Sequence, residues 1–239
     1  MSSVVAARGL SSAYFDRVPE KWFWPGTTRS SGRSAYYQLS TYGIILALRM
    51  LGVPAPWPQL VPLDQALTVA QWAVAAVREH GHCLVSAFPS MALRVSVAAQ
   101  EHGLDLSGVT FRGGGEPPTE AKVAGIKRSG AGWIPNYGST EIGWIGLGCA
   151  QPADGTDVHL LTSDLAVVQH PRPLPGSDVN VDAFYFTTLL ATTPMLLLNA
   201  ESDDFGVIEE RHCGCALETL GLTQHIRHIR SFTLSLIHI

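Results

Sequence analysis

Apolar residues recur every three to four positions over residues 34–51. This is the period of a helix that hides one face, and Gly52 supplies a stop. Pro54, Pro56, Pro58 and Pro62 then predict a rigid connection. Asp64 is a suitable N-cap for a second helix running to about His80 and closed by Gly81. The continuous run CLVSAF (83–88) predicts a short buried strand, and 90–102 predicts a helix ended by Gly103. GVTFRGGG reads as a strand entering a glycine turn, 117–129 as a helix with prolines at its start, and GWIPNYG as another strand.

Strand and helix thus alternate to about residue 138, the pattern of a parallel sheet with helices on its faces. Beyond Ile142 the period changes. VHLLT, LAVVQH, AFYFTTLL, MLLLNA and GVIEERH are strand-like runs separated by Gly, Pro, Asp and Asn. The expected fold is α/β: a doubly wound, mostly parallel sheet over 34–141, followed by an antiparallel, barrel-like β subdomain over 142–232. Residues 1–33 form a separate N-terminal segment, and 233–239 a tail.

Composition narrows the partners. With 46% hydrophobic residues the chain can bury a core, and a net charge of −4 gives no reason to expect nucleic acid. The apolar stretch 189–198 contains Pro194 and is too short to span a bilayer, so no membrane partner is expected. The first residues lack a long apolar core and a cleavage site, which makes the cytoplasm the expected compartment. The four cysteines there are expected to be thiols or metal ligands.

Candidate chemistry sits at two predicted strand ends, GGGE (Gly113, Gly114, Gly115, Glu116) and NYGSTE. In doubly wound sheets ligands bind at the carboxyl ends of strands. Glycines let backbone approach a flat ligand, and Tyr137 can stack on a base. Thr140 can bond a phosphate oxygen, and Glu141 can hold Mg²⁺, a hard cation that prefers oxygen ligands. Taken singly, each stretch is better read as an ordinary turn. Together, at this spacing, they favour a nucleotide site.

GGGEPPTEAK followed by YGSTEIGWIGLGCA resembles the core of the adenylate-forming superfamily, closest to the phenylacetate–CoA ligase and LuxE-like acyl-protein synthetase branch. The resemblance runs from about 27 to 232. It implies ATP- and Mg²⁺-dependent activation of a small carboxylic acid, aromatic or fatty, as an acyl-adenylate. Transfer to a thiol, of coenzyme A or an acceptor protein, would follow. It further implies that Gly113, Gly114, Gly115, Glu116, Gly138 and Ser139 border the nucleotide. Tyr137 would flank adenine, Thr140 would meet the α-phosphate and Glu141 would bind Mg²⁺. Asp204, favoured over Asp203 by its Asp-x-Gly spacing, and Arg230 would contact the ribose. Residues 86–90 and Asn136 would wall the acyl pocket.

Three departures and additions qualify the resemblance. The phosphate loop of the family is matched by Thr27, Thr28, Ser30, Ser31 and Gly32, but Arg29 stands where a glycine is usual. An arginine there either obstructs the pocket or adds charge to it. Some members of the branch hold zinc with a Cys, a downstream His and a C-x-C pair, which implies Cys149, His159, Cys213 and Cys215 as a structural site. His225 and His228 are left out of that set, and Cys83 is expected to be a buried apolar residue. Finally, LSLIHI (234–239) is what CTG TCT CTT ATA CAC ATC encodes, a sequence resembling the transposon end used as an adaptor in sequencing libraries. The tail is expected to be non-native, and the chain a fragment without the family's lysine-bearing C-terminal domain. The rival expectations are a catalytically inactive nucleotide-binding or scaffold protein of the same fold, and a zinc-stabilised module without a nucleotide site.

Overall fold

Each predicted α/β step folds as strand, loop and helix, and the order of the strands then positions the site. The computed structural model describes residues 19–24, 32–174, 178–190, 193 and 195–232, with backbone alone over 32–38. Thr27, Thr28, Arg29, Ser30, Ser31 and the LSLIHI tail lie outside the described residues.

The chain divides into two compact units, Met1–Trp72 and Ala73–Ile239. In the first, strand β1 (Trp22–Trp24) pairs in parallel with β2 (Pro58–Leu60), and helix α1 spans Gly32–Met50. Arg49 fastens the turn after α1, donating to the Ala55 carbonyl at 2.8 Å with its guanidinium 5.8 Å from the Trp57 ring centre. Helix α2 (Ala66–His80) runs through the boundary between the units. Asp64 does not cap it. A 3₁₀ turn over Leu63–Gln65 precedes the helix, and Pro62 stands at the N-cap of that turn with no side-chain bond. The ring's fixed φ of −56° sets the entry instead of a carboxylate.

The second unit is built on β3 (Cys83–Ser86), α3 (Pro89–Glu101), β4 (Val109–Gly113), α4 (Glu120–Arg128) and β5 (Gly132–Ser139). These strands are mutually parallel, Ser86 opposite Arg112 and Gly113 opposite Pro135. Thr119 caps α4 through the Lys122 N–H, with Glu120 in its first turn and Lys127 and Arg128 in its last, each charge favourable to the helix dipole. Six further strands follow: β6 (Gly143–Leu147), β7 (Val158–Leu160), β8 (Leu165–Pro173), β9 (Asn180–Thr188), β10 (Ala200–Glu210) and β11 (Gln224–Ser231).

All nine strands belong to one sheet, ordered β3-β4-β5-β6-β7-β11-β10-β9-β8, and every pairing beyond β5 is antiparallel. The expected α/β sheet followed by antiparallel strands is present, but the barrel-like closure is not. β3 and β8 remain the two edges among the described residues. β5 is the hinge of the sheet. Its residues 132–135 pair with β4, and 136–139 with β6. The antiparallel part folds around Ile145, Val158, Leu160, Leu165, Phe184, Phe186 and Ile226, all nearly inaccessible to solvent. Burying side chains of this size stabilises by roughly 1.5–3 kcal/mol each.

Two strand boundaries differ from expectation. MLLLNA is not a strand before Ala200. Asn199 adopts φ +46°, which ends an extended run, and Leu196 and Leu198 are exposed. β10 instead starts at Ala200, before the expected GVIEERH run, so Asp203 and Asp204 sit within a strand.

Candidate functional site

The carboxyl edge of the parallel strands carries three loops: 87–88 after β3, 114–119 after β4, and the β5–β6 hairpin. The glycine turn is held against both neighbours. A Cβ on Gly113 would lie 1.8 Å from the Ala87 carbonyl oxygen, and one on Gly114 would lie 2.0 Å from that of Asn136. These positions must be glycine because backbone passes where a side chain would start. Gly115 faces the Phe88 ring, whose edge would stand 2.8 Å from an added Cβ. Phe88, within the 86–90 stretch expected to wall the acyl pocket, is 42% exposed.

Glu116 does not offer its carboxylate outward. Oε1 accepts from the Ser90 N–H in the first turn of α3 and lies 3.8 Å from Lys122 Nζ. A carboxylate at a helix N-terminus satisfies a donor the helix cannot, so Glu116 caps the first turn of α3.

NYGSTE becomes the end of β5 and the tip of its hairpin to β6. Gly138 has no room for a Cβ, which would sit 2.5 Å from the Gly143 carbonyl. Ser139 Oγ accepts from the Ile142 N–H at 3.2 Å and closes the turn. Thr140 and Glu141 are exposed at the tip. The Thr140 hydroxyl donates to Glu141 Oε1 at 2.8 Å, and this bond holds the carboxyl below its usual range, hence ionised.

Tyr137 points the other way, into the sheet. Its ring packs beside Phe186, and its hydroxyl donates to Asp204 Oδ2 at 2.7 Å. The two residues stand 67 positions apart, on β5 and β10, with β6, β7 and β11 between them in the sheet. Their contact requires the sheet to curl, and this side-chain bond spans the curl where no backbone ladder does. Burial raises the Tyr137 pKa well above its usual value, with the Asp204 charge adding to it. Burial also raises Asp204, against the Tyr137 hydrogen bond that lowers it.

Arg230 is not brought to that carboxylate. Asp204 is opposite Ser231 and Phe205 is opposite Arg230, so alternation turns Arg230 to the other face of the sheet, where it is exposed. Gly32 opens α1 in the first unit.

The sulfur and imidazole groups do converge. The ligand atoms of Cys149, His159, Cys213 and Cys215 all lie within 4.8 Å of one another, a set able to hold a metal ion. Cys149 Sγ is 3.9 Å from Cys213 Sγ, and His159 Nε2 is 3.5 Å from Cys213 Sγ and 3.2 Å from Cys215 Sγ. Tetrahedral zinc, with bonds of about 2.3 Å to sulfur and 2.0–2.1 Å to nitrogen, requires edges of about 3.8 Å (S···S) and about 3.5 Å (S···N). The donor set therefore fits the ion. Gly214 adopts φ +72°, which lets the two flanking thiols turn to one centre. Glu218 braces that turn, accepting from the Gly214 N–H at 2.6 Å and meeting His212 Nδ1 at 2.7 Å.

His159 is oriented for such a role. Nδ1 donates to the Leu222 carbonyl at 2.6 Å, which leaves Nε2 facing the thiols, and burial lowers its pKa and favours the neutral ring. Burial likewise pushes the Cys149 thiol up to about 12, and the Cys215 and Cys213 sulfurs add to that, against the Gln151 N–H directed at it. Cys83 is buried on β3 and takes no part.

Residues the sequence did not single out surround this cluster. Asp157, buried on the approach to β7, pairs with Arg211 at 2.7 Å and with His225 Nδ1 at 2.6 Å, and accepts from the Ala153 N–H at 2.6 Å. His225 is fully buried, its ring centre 4.0 Å from that of His159. No local pattern announces the Asp157–His225 pair, because strand register alone puts His225 opposite His159. A concavity lined by Val74, Val77, Arg78, Leu104, Asp105 and Ser107 lies at the amino-terminal edge of the sheet, away from all of these groups.

No family model matches the chain, and no curated protein matches it. Among solved structures, it is similar to the amide bond synthetase McbA from Marinactinospora thermotolerans, at 17% identity and a TM-score of 0.46, over 87% of this chain and 42% of that one. It is also similar to E. coli MenE carrying an analogue of OSB-AMS, at 15% identity and a TM-score of 0.39, over 90% and 42%. The inhibitor-bound N-terminal domain of FACL13 from Mycobacterium tuberculosis matches at 14% identity and a TM-score of 0.41, over 85% and 52%. The chain thus spans about half, or less, of the length of these structures.

Proposed function

We propose that the chain is part of an enzyme that activates a carboxylic acid as its acyl-adenylate at the carboxyl edge of β4 and β5. The Tyr137–Asp204 contact carries this reading. Two residues expected to border one nucleotide are joined there, beside the glycine turn, although three strands separate them in the sheet. Tyr137 would border the base, and Asp204 would accept from the ribose. Glu141, ionised and exposed, would hold Mg²⁺, a cation that neutralises the charge of the phosphates. Thr140 would exchange its bond to Glu141 for one to the α-phosphate. The chain's contribution to catalysis would be positioning and stabilisation of developing charge. The thiol step, to coenzyme A or an acceptor protein, and the identity of the acid belong to the same proposal, as does a cytoplasmic location. No helix among the described residues is long and apolar enough to cross a membrane.

We further propose zinc at Cys149, His159, Cys213 and Cys215. Four protein donors fill a tetrahedral shell, so the ion would tie chain segments together and leave no position for substrate.

Calorimetric titration with Mg·ATP tests the nucleotide site. Measurable binding is expected, at least tenfold weaker in Asp204→Ala. Equal affinities, or no binding to the native chain, would remove the proposal. Pyrophosphate exchange with a panel of acids then separates turnover from binding alone.

A further inference from the structure

We propose that Tyr137, through its hydroxyl, makes the Asp204 site select ribonucleotides over deoxyribonucleotides. This deepens the nucleotide reading above and rests on it.

A carboxylate offers about four acceptor positions on two oxygens. Tyr137 takes one at Oδ2, and Oδ1 accepts no bond among the described residues. The phenol cannot drift, because its ring is packed beside Phe186 in the interior of the curl. The backbone is fixed as well. The Asp204 N–H meets Ser202 Oγ at 3.2 Å, and Ser202 Oγ in turn meets the Phe184 carbonyl at 3.3 Å. The carboxylate is therefore held by one oxygen, with the other free to accept from a donor, which is what a ribose hydroxyl supplies. Without the phenol the carboxylate could rotate about χ2, and a donor arriving at Oδ1 would first have to order it. On this geometry the phenol is a positioning group. It need not touch the sugar.

The alternative consequence of the same bond is competition, in which the phenol occupies the oxygen that the ribose needs. Phenylalanine at 137 distinguishes the two, because it keeps the ring and removes the donor. Dissociation constants for ATP, 2′-deoxyATP and 3′-deoxyATP would be measured on the native chain, Tyr137→Phe and Asp204→Asn. Tyr185→Phe serves as a control, since its exposed phenol bonds Glu201 elsewhere on the sheet. The native chain should prefer ATP over at least one deoxy analogue by about tenfold, the worth of one hydrogen bond to a charged group. Tyr137→Phe should lose most of that preference with little change for the deoxy analogue. Tyr185→Phe should keep it. Circular dichroism and a thermal melt on each variant separate a lost contact from a lost fold, and Asp204→Asn offers a second route to the same loss of preference.

A native preference that survives in Tyr137→Phe overturns the inference and leaves the nucleotide reading standing. So does tighter ATP binding in that variant, which would mean competition. A native chain that binds ATP without preference overturns it as well. A native chain that binds no nucleotide at all overturns both.

Discussion

At Gly113 and Gly114 the absent side chain is replaced by a neighbour's backbone. Added Cβ atoms would fall 1.8 and 2.0 Å from carbonyl oxygens of Ala87 and Asn136, and neither carbonyl can move without breaking its strand end. Gly114→Ala should therefore destabilise the chain by roughly 2–4 kcal/mol, read as a fall in the urea midpoint. Gly43→Ala is the contrasting case. Nothing lies within 4 Å of its added Cβ, so the helical gain of about 0.5–1 kcal/mol should stabilise the chain. The sequence suggested ligand approach as the reason for the glycine turn, whereas the contacts supply a packing reason. Glycine is legible as a requirement for space, but what uses the space is not legible, because the intruding carbonyls come from two other loops. Glu116 is similar: its acidity is visible in the sequence, and its use as a cap on α3 depends on where that helix begins.

Among the elements, the β10–β11 connection depends most on groups far away in sequence. Arg211 leaves β10, pairs with Asp157 and donates to the Gln151 carbonyl at 2.9 Å, so it pins the Cys213–Cys215 turn to the segment before β7. Asp157→Asn leaves Arg211 without its counter-charge and weakens the bond to His225. A cost of about 3–5 kcal/mol is expected by chemical denaturation, with weaker metal binding in competition with a chelator. Metal loading should also release protons. A thiol held up to about 12 is protonated near neutrality and must become thiolate to ligate. Affinity should then rise with pH and fall as pH drops, checked by the buffer dependence of the binding heat. The C-x-C pair, the histidine and the lone upstream cysteine were named as one donor set by the family resemblance, since C-x-C alone is a weak metal signal. Asp157 and His225 were not, because a buried carboxylate–histidine pair has no local pattern. It arises when β7 and β11 align His159 with His225.

On the scale of the whole second unit, the metal set joins the segment after β6, β7 itself and the β10–β11 loop, three parts of one curled sheet. Removing a bound ion would release all three at once. The melting temperature should fall by roughly 5–10 °C on chelation or in Cys213→Ser, and chelation should have no further effect on the variant. Identical melts with and without chelator would exclude a metal. The curl also explains where the sequence reading stopped. Alternating helices and strands and the change of period after Ile142 follow from local periodicity, since a helix or strand reports its buried face within a few residues. Local periodicity does not report which strands become neighbours, how far a sheet bends, or which face of β11 carries Arg230. Those depend on burial shared by strands tens of residues apart. By itself, then, the sequence determined most of the elements and the residue types available as donors. The tertiary structure alone joined β5 to both halves of one open sheet, set Tyr137 against Asp204 and turned Arg230 away, because register and curvature are decided only when distant apolar faces pack on one another.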